Sequence, residues 1–168
     1  MNGEYIDLYD NNKKLTGEKI FREKGKKANV PTGKYSVVVI AFIKKHNNKY
    51  LLQKTTKNKG GIWALTGGHV KSGQTSLEAI QEEIKEELGL HFPDEMITLL
   101  KTYKYENAFK DVYYINSDID LDKIKLQIDE VEDVNFFTEE EIYKLIDEEQ
   151  IRKTNIDAIL DFFKENKD

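Results

Sequence analysis

Alternating apolar and polar segments along the chain predict a series of short strands interrupted by helices. Residues 1–33 are polar, with a turn-like "DNNKKLTG" between two short apolar pieces, which indicates an N-terminal hairpin or arm. The nearly continuous apolar segment "YSVVVIAFI" then predicts a buried strand. Further strands are expected at "KYLLQKT", "IWALT", "MITLLKTYKY", "DVYYINS" and "VNFFT". We therefore expect an arm or hairpin at 1–33 packed on one domain at 34–168.

One helix is signalled at both of its ends. Thr75 and Glu78 have the spacing of a capping box, and Gly89 lies where the glycine after a helix belongs. Four apolar residues recur between them at helical intervals and predict the buried stripe: Leu77, Ile80, Ile84 and Leu88.

Two further helices are expected near the C-terminus. Thr138 and Glu141 form a second capping box. The last helix is predicted to bury four apolar residues: Ile156, Ile159, Leu160 and Phe163. Strands with interspersed helices indicate an α/β or α+β sandwich.

Composition narrows the class of protein. The 168 residues suit one domain with a sizeable core. Cysteine is absent, which excludes disulfides, thiolate metal sites and a cysteine nucleophile. No apolar run is long enough for a signal peptide or a membrane span, so we expect a cytoplasmic protein without membrane association.

Charge is distributed unevenly along the chain. The net charge is −5 and the isoelectric point is about 5.4, a balance that does not favour binding to duplex nucleic acid. Residues 1–59 hold 14 basic and 5 acidic groups, whereas 60–168 hold 12 basic and 26 acidic groups. A basic first third beside an acidic remainder would suit a phosphate-bearing ligand held with a cation; alternatively, the lysines only keep loops soluble.

The first helix carries an unusual group of carboxylates. Glu83, Glu86 and Glu87 share roughly a third of the helix circumference, and Glu82 falls outside this arc toward solvent. Like charges at i,i+4 cost about 0.2–0.5 kcal/mol each, and this half of a helix prefers cations. A bound Mg²⁺ or Mn²⁺ would offset both penalties, because these ions prefer oxygen ligands. The alternative is a solvated acidic face in a charged protein.

The segment from Gly68 to Leu90 resembles the Nudix box, G-x5-E-x7-R-E-U-x-E-E-x-G-U, in which U is a bulky aliphatic residue. Seven of its nine defined positions are in register: Gly68, Glu83, Ile84, Glu86, Glu87, Gly89 and Leu90. Two depart, since Gln74 replaces the first glutamate of the box and Glu82 replaces its arginine. The preceding "WALTGGHV" is similar to the W-x-L-P-G-G of that family, with Thr66 in place of proline.

This resemblance implies a Nudix fold, a mixed β-sheet sandwiched between α-helices. It also implies Mg²⁺-dependent hydrolysis of a diphosphate linkage in a small-molecule substrate, a nucleoside diphosphate derivative or related organic pyrophosphate. Carried over by position, Glu83, Glu86 and Glu87 would bind the metal, with the carbonyl of Gly67 as a further ligand. Glu83 is the first choice for the base that activates water, and Glu130 is a second candidate outside the box.

The two departures leave alternatives open. In the family the first glutamate and the arginine pair structurally, and here a Gln74–Glu82 hydrogen bond could replace them. A catalytically weak Nudix-fold module that binds a nucleotide as a sensor is therefore the second candidate. The N-terminal segment and "GGHV" also resemble the branch containing isopentenyl-diphosphate isomerase, but a chain without cysteine lacks the nucleophile of that isomerase.

Three residues outside the acidic group are candidates for substrate binding. Lys54 could contact phosphate, His69 could contact phosphate or metal, and Trp63 could stack on a base. Each also suits an ordinary surface, turn or core role. The family often forms dimers, so a homodimer is an open possibility.

Overall fold

The computed structural model describes residues 2–166, which begin with an antiparallel hairpin of β1 (Gly3–Tyr9) and β2 (Leu15–Glu23). The side chains of Ile6 and Leu8 are buried, so the hairpin packs on the rest of the chain. Tyr9 and Tyr35 exchange backbone hydrogen bonds, which join the end of β1 to the segment just before the next strand.

The main sheet has seven strands. They are β3 (Ser36–Lys44), β4 (Lys49–Thr55), β5 (Trp63–Ala64), β6 (Thr66–His69), β7 (Thr98–Lys104), β8 (Ala108–Asn116) and β9 (Val131–Thr138). Strand β3 runs parallel to β8 along its whole length and antiparallel to β6. Strand β4 pairs antiparallel with β5 and β9, and β7 pairs antiparallel with β8. The sheet is therefore mixed.

The first two helices begin at the capping boxes expected from the sequence. Helix α1 (Ser76–Leu88) begins with the Thr75–Glu78 capping box and ends at Gly89, whose φ of 66° is left-handed. Helix α2 (Glu139–Asp147) begins with the second capping box, and α3 (Lys153–Glu165) follows after a short connection. Single 3-10 turns lie at Lys57–Lys59, Asp94–Met96 and Leu121–Lys123.

The sheet has an apolar core on each face. One core is formed by α1 and one face of β3 and β8, and the other by α2, α3 and the opposite face. The predicted fold, a mixed sheet between helices, is confirmed.

One detail of the core prediction was wrong. Leu160 is 41% exposed, whereas Phe162 is buried and stacks on Phe42 with ring centroids 4.4 Å apart. The buried stripe of α3 runs through Ile159, Phe162 and Phe163, which turns Leu160 toward solvent. Within residues 2–166, no helix combines the length and apolar character needed to cross a membrane.

Candidate active site

Two adjacent glycines bring strand β6 close to both β3 and α1. A Cβ atom at Gly67 would lie closer than 3.0 Å to the carbonyl oxygen of Val39 on β3. A Cβ atom at Gly68 would lie 2.5 Å from the carboxyl carbon of Glu83 on α1. At Gly67 the obstructing atom belongs to the backbone, whereas at Gly68 the obstructing atoms belong to the carboxylate of Glu83, so glycine at 68 is what lets that carboxylate lie against the strand. Strand and helix therefore meet at the acidic face.

Glu87 is the innermost carboxylate of this face. Its Oε1 atom accepts hydrogen bonds from the Thr66 hydroxyl at 2.6 Å and from the Gly67 N–H at 3.2 Å. Burial raises the pKa of Glu87 above its ordinary value, although these hydrogen bonds oppose the shift. The side chain of Gln53 on β4 also lies beside this carboxyl group. Glu87 is therefore held in a fixed position against β6.

Glu83 and Glu86 lie on the same side of α1, further toward solvent. Burial, together with the negative charges of Glu87 and Glu86, raises the pKa of Glu83 to about 9. Desolvation and the nearby Glu82 raise the pKa of Glu86, while Lys71 opposes that shift. In both cases the surroundings disfavour the charged carboxylate, first of all through burial.

The donor set of this face fits a hard divalent cation. The absence of a Cβ atom at Gly68 lets the carboxylate of Glu83 close against the backbone of β6. All donors are oxygen atoms, which Mg²⁺ and Mn²⁺ prefer. Among residues 2–166, however, no three Asp, Glu or His side chains already converge on one point. The carboxylates are neighbours on one helix face, not a closed coordination shell.

The two positions that depart from the box contact each other. The side-chain amide of Gln74 donates to Oε2 of Glu82, and the ammonium group of Lys71 binds Oε1 of the same carboxylate. The backbone N–H of Lys71 donates to the Gln74 side-chain oxygen at 2.9 Å. The hydrogen bond suggested from the sequence is present, and a lysine joins it.

The N-terminal hairpin contacts the turn that precedes α1. Asp7 on β1 accepts hydrogen bonds from the Ser72 hydroxyl at 2.7 Å and from the Gly73 N–H at 3.0 Å. Lys13, in the hairpin turn, donates to both oxygens of the buried Asp111 at 2.7 Å. Asp111 also accepts a hydrogen bond from Ser76, the first residue of α1, at 2.6 Å. The hairpin is thus bonded to both the turn and the start of the acidic helix.

Of the other candidates from the sequence, His69 lies on β6, directly after Gly68. Burial and the positive charge of Arg22 lower its pKa to about 4. Glu130 forms ion pairs with Lys24, at 3.1 Å, and with Lys59. These contacts bring Glu130 together with two lysines.

The structure does not bring Lys54 or Trp63 to the acidic face. Lys54 follows Gln53 on β4, so it points to the opposite side of the strand, where its ammonium group lies 3.6 Å from Glu132. Trp63 packs edge-on against Phe137, with ring centroids 4.8 Å apart, in the core that contains α2 and α3.

Three residues at the site were missed by sequence reasoning: Thr66, Lys71 and Asp7. The substitution of threonine for proline at 66 was visible, but its bond to Glu87 depends on how β6 packs against α1. Nothing in the sequence indicated that Lys71 and Asp7 lie at the site, because isolated charged residues are common in polar segments.

The structure thus combines an acidic helix face, a strand with two adjacent glycines packed against it, and a mixed sheet between helices. A family model described as the NUDIX domain matches residues 34–159, so the chain belongs to the Nudix family. The prediction of a Nudix hydrolase is confirmed at this level.

The relatives agree with this assignment. The chain is 33% identical over 146 residues to the uncharacterised Nudix hydrolase lmo0368 of Listeria monocytogenes, with 84% of each chain covered. It is 35% identical over 75 residues to the nucleoside triphosphatase NudI of an Enterobacter species, which covers 43% of this chain and 51% of that protein. The crystal structure of DR0079 from Deinococcus radiodurans has the same fold, with a TM-score of 0.75, 20% identity, and 93% and 97% of the two chains covered.

Proposed function

We propose that this protein is a Mg²⁺-dependent hydrolase that cleaves a diphosphate linkage in a nucleoside diphosphate derivative or a related organic pyrophosphate. The observation that carries the proposal is that Glu83 and Glu87 are held against Gly67 and Gly68 of β6, with Glu86 beside them on the same face of α1. Burial raises the pKa of all three carboxyl groups, and the negative charges of Glu87 and Glu86 add to the shift at Glu83. A divalent cation would relieve that repulsion at Glu83.

Each residue has a distinct role in this proposal. Glu83, Glu86 and Glu87 hold the cation, together with the carbonyl oxygen of Gly67. When bound, Mg²⁺ supplies charge neutralisation for the phosphate oxygens and lowers the pKa of a coordinated water. The carboxylate of Glu83 takes the proton of the attacking water, the new bond forms between that water oxygen and phosphorus, and the bridging oxygen leaves with the second phosphate.

Nucleotides are the first substrate class to test. The relative NudI is named a nucleoside triphosphatase, although its similarity covers less than half of this chain. The basic groups of residues 1–59 also suit a phosphorylated ligand. Glu130 is retained only as a secondary base candidate, since in this structure it is bound by two lysines.

The test measures phosphate release from a panel of nucleoside diphosphates, nucleoside triphosphates, nucleotide sugars and dinucleotides with Mg²⁺. Glu83→Gln and Glu87→Gln are expected to lower kcat by about 10²–10⁴-fold on the best substrate. Glu78→Gln is the matched control on the same helix, because glutamine also serves in a capping box. Removing divalent ions with EDTA should abolish turnover, and added Mg²⁺ should restore it.

Two outcomes would contradict the proposal. No turnover across the panel, with a nucleotide bound tightly and recovered intact, would favour the sensor. Unchanged Mn²⁺ binding and turnover after replacement of Glu83, Glu86 and Glu87 together by glutamine would show that this face is not a metal site.

A further inference from the structure

Lys71 lies in the turn of residues 70–75, which connects β6 to the acidic helix α1. Its ammonium group binds Oε1 of Glu82, while the Gln74 amide occupies Oε2 of the same carboxylate. The backbone of Lys71 in turn donates to Gln74. Both oxygens of Glu82 are therefore bound by residues of the turn before α1: Lys71 lies eleven positions before Glu82 in the chain, and Gln74 lies eight positions before it.

We propose that Lys71 is a positioning residue that supplies the positive charge which the Nudix box otherwise carries on its arginine. In the box, the anion belongs to the turn and the cation to the helix. Here the helix carries the anion, Glu82, and the turn carries the cation, Lys71, with the uncharged Gln74 between them. The Lys71–Glu82 pair therefore has no net charge, like the pair of the box, but its positive and negative members have exchanged places between the turn and the helix. This proposal rests on the proposed function, because it concerns the geometry of the same metal-binding face.

Charge balance explains why the cation has to be present. Glu82 precedes Glu83 directly and lies one helical turn before Glu86. Without a cation it would add a fourth negative charge beside the three proposed metal ligands. Lys71 cancels that charge and ties the turn to α1, so that Gly67 and Glu83 keep their relative positions.

The contacts of Lys71 differ from those of an ordinary surface lysine. Its side chain is 32% exposed and that of Glu82 is 33% exposed, so the ion pair is partly shielded from water. Oε2 of Glu4 on β1 lies 3.8 Å from the same ammonium group, and Glu4 accepts a bond from Arg22 at 3.3 Å. The hairpin thus reinforces the pair from its other side.

The test compares Lys71→Met with a control and with a rescue variant. Lys85→Met is the matched control, because Lys85 is an exposed lysine on α1, the helix that carries Glu82. The rescue variant, Lys71→Met/Gln74→Glu/Glu82→Arg, restores the ordinary polarity of the box. Three quantities are measured for each variant. Mn²⁺ affinity is measured without substrate, and kcat and KM are measured on the best substrate. Amide hydrogen exchange over residues 67–74 is measured without metal.

Lys71→Met leaves the charge of Glu82 uncancelled, which alone would favour a cation, but it also removes the link between the turn and α1. Because the link is what orients the ligands, Mn²⁺ binding is expected to weaken about 10–100-fold, the range for groups that orient metal ligands. Lowered kcat with a smaller change in KM should accompany it, and exchange of the turn amides should rise about five-fold. The rescue variant should recover most of each loss, and Lys85→Met should match the wild type. Thermal unfolding should show that every variant remains folded.

The proposal is overturned if Lys71→Met changes neither Mn²⁺ affinity nor amide exchange, or if the folded rescue variant is as impaired as Lys71→Met. Its failure is distinguishable from failure of the proposed function. A wild-type chain that binds Mn²⁺ but hydrolyses nothing would refute the hydrolase, and Lys71 would still be judged by affinity and exchange. A wild-type chain that binds no Mn²⁺ would leave amide exchange and its rescue to decide the role of Lys71.

Discussion

Alanine substitution at the two adjacent glycines should separate stability from activity. A Cβ atom at Gly67 would approach the main-chain oxygen of Val39 closer than 3.0 Å and the Cγ2 atom of Ile40 at 2.9 Å. At Gly68 the atoms within 3.0 Å of the new Cβ all belong to the carboxylate of Glu83. A backbone carbonyl in a sheet cannot move without breaking the pairing of β3 with β6, whereas a glutamate side chain can rotate away.

The magnitudes follow from the size of each overlap. The Cδ atom of Glu83 would lie 2.5 Å from the new Cβ, against 3.4–4 Å for an ordinary contact, so the carboxylate must move by about 1 Å. A displacement of that size at a catalytic group costs about 10²-fold in rate, while stability should change by less than about 1 kcal/mol. Gly67→Ala overpacks the sheet and should cost about 2–3 kcal/mol, which lowers Tm by about 4–12 °C in a chain of this length.

The assay combines thermal unfolding, Mn²⁺ binding and initial rates for Gly67→Ala and Gly68→Ala, with rates corrected for the folded fraction. We expect Gly67→Ala to lose mainly stability and Gly68→Ala to lose mainly Mn²⁺ affinity and kcat. Equal destabilisation by both substitutions, with Gly68→Ala fully active per folded molecule, would refute the assignment of Glu83 to the metal site.

Two further predictions concern buried and paired carboxylates. Asp111→Ala should destabilise the fold by about 3 kcal/mol, which lowers Tm by about 6–12 °C. The reason is that Lys13, Ser76 and Thr102 lose their buried acceptor. An unchanged Tm would contradict the assigned hydrogen-bond network. Burial alone would raise the pKa of Asp157, but hydrogen bonds from Lys110 and Tyr105 lower it below its ordinary value. This group therefore stabilises the fold above its unfolded pKa of about 3.9, and the stabilisation is lost as the pH falls through the lower folded value. Urea unfolding of Asp157→Asn should accordingly show lower stability at neutral pH and a weaker loss on acidification than the wild type; parallel pH profiles would contradict this.

The elements that were predicted from the sequence depend on interactions between residues close together in the chain. The capping box of α1 joins Thr75 to Glu78, and the helix ends at Gly89 because glycine adopts a left-handed conformation without strain. The position of the box on α1, and with it the grouping of Glu83, Glu86 and Glu87, follows from helical spacing alone. Leu160 shows the limit of such spacing, since the exact face of α3 was chosen by the stacking of Phe162 on Phe42.

The candidate site depended more heavily on contacts that the sequence does not display. Asp7 and Ser72 are 65 residues apart, and Lys13 and Asp111 are 98 apart, yet each pair forms a hydrogen bond at 2.7 Å. Such pairs join segments with no common periodicity or motif, so nothing in either segment identifies the partner. The partners of Glu130 were likewise not visible in the sequence. Its position in the chain suggested a role near the metal, and the fold pairs its carboxylate with Lys24 and Lys59.

The amino-acid sequence by itself determined the family, the capped acidic helix and the oxygen-only chemistry available on its face, because these follow from local spacing and residue type. The tertiary structure decided which groups surround that face. It set Thr66 against Glu87, Lys71 against Glu82, and the N-terminal hairpin against the turn before α1. The physical reason is that burial and the pairing of charges arise only when strands and helices distant in the chain pack together.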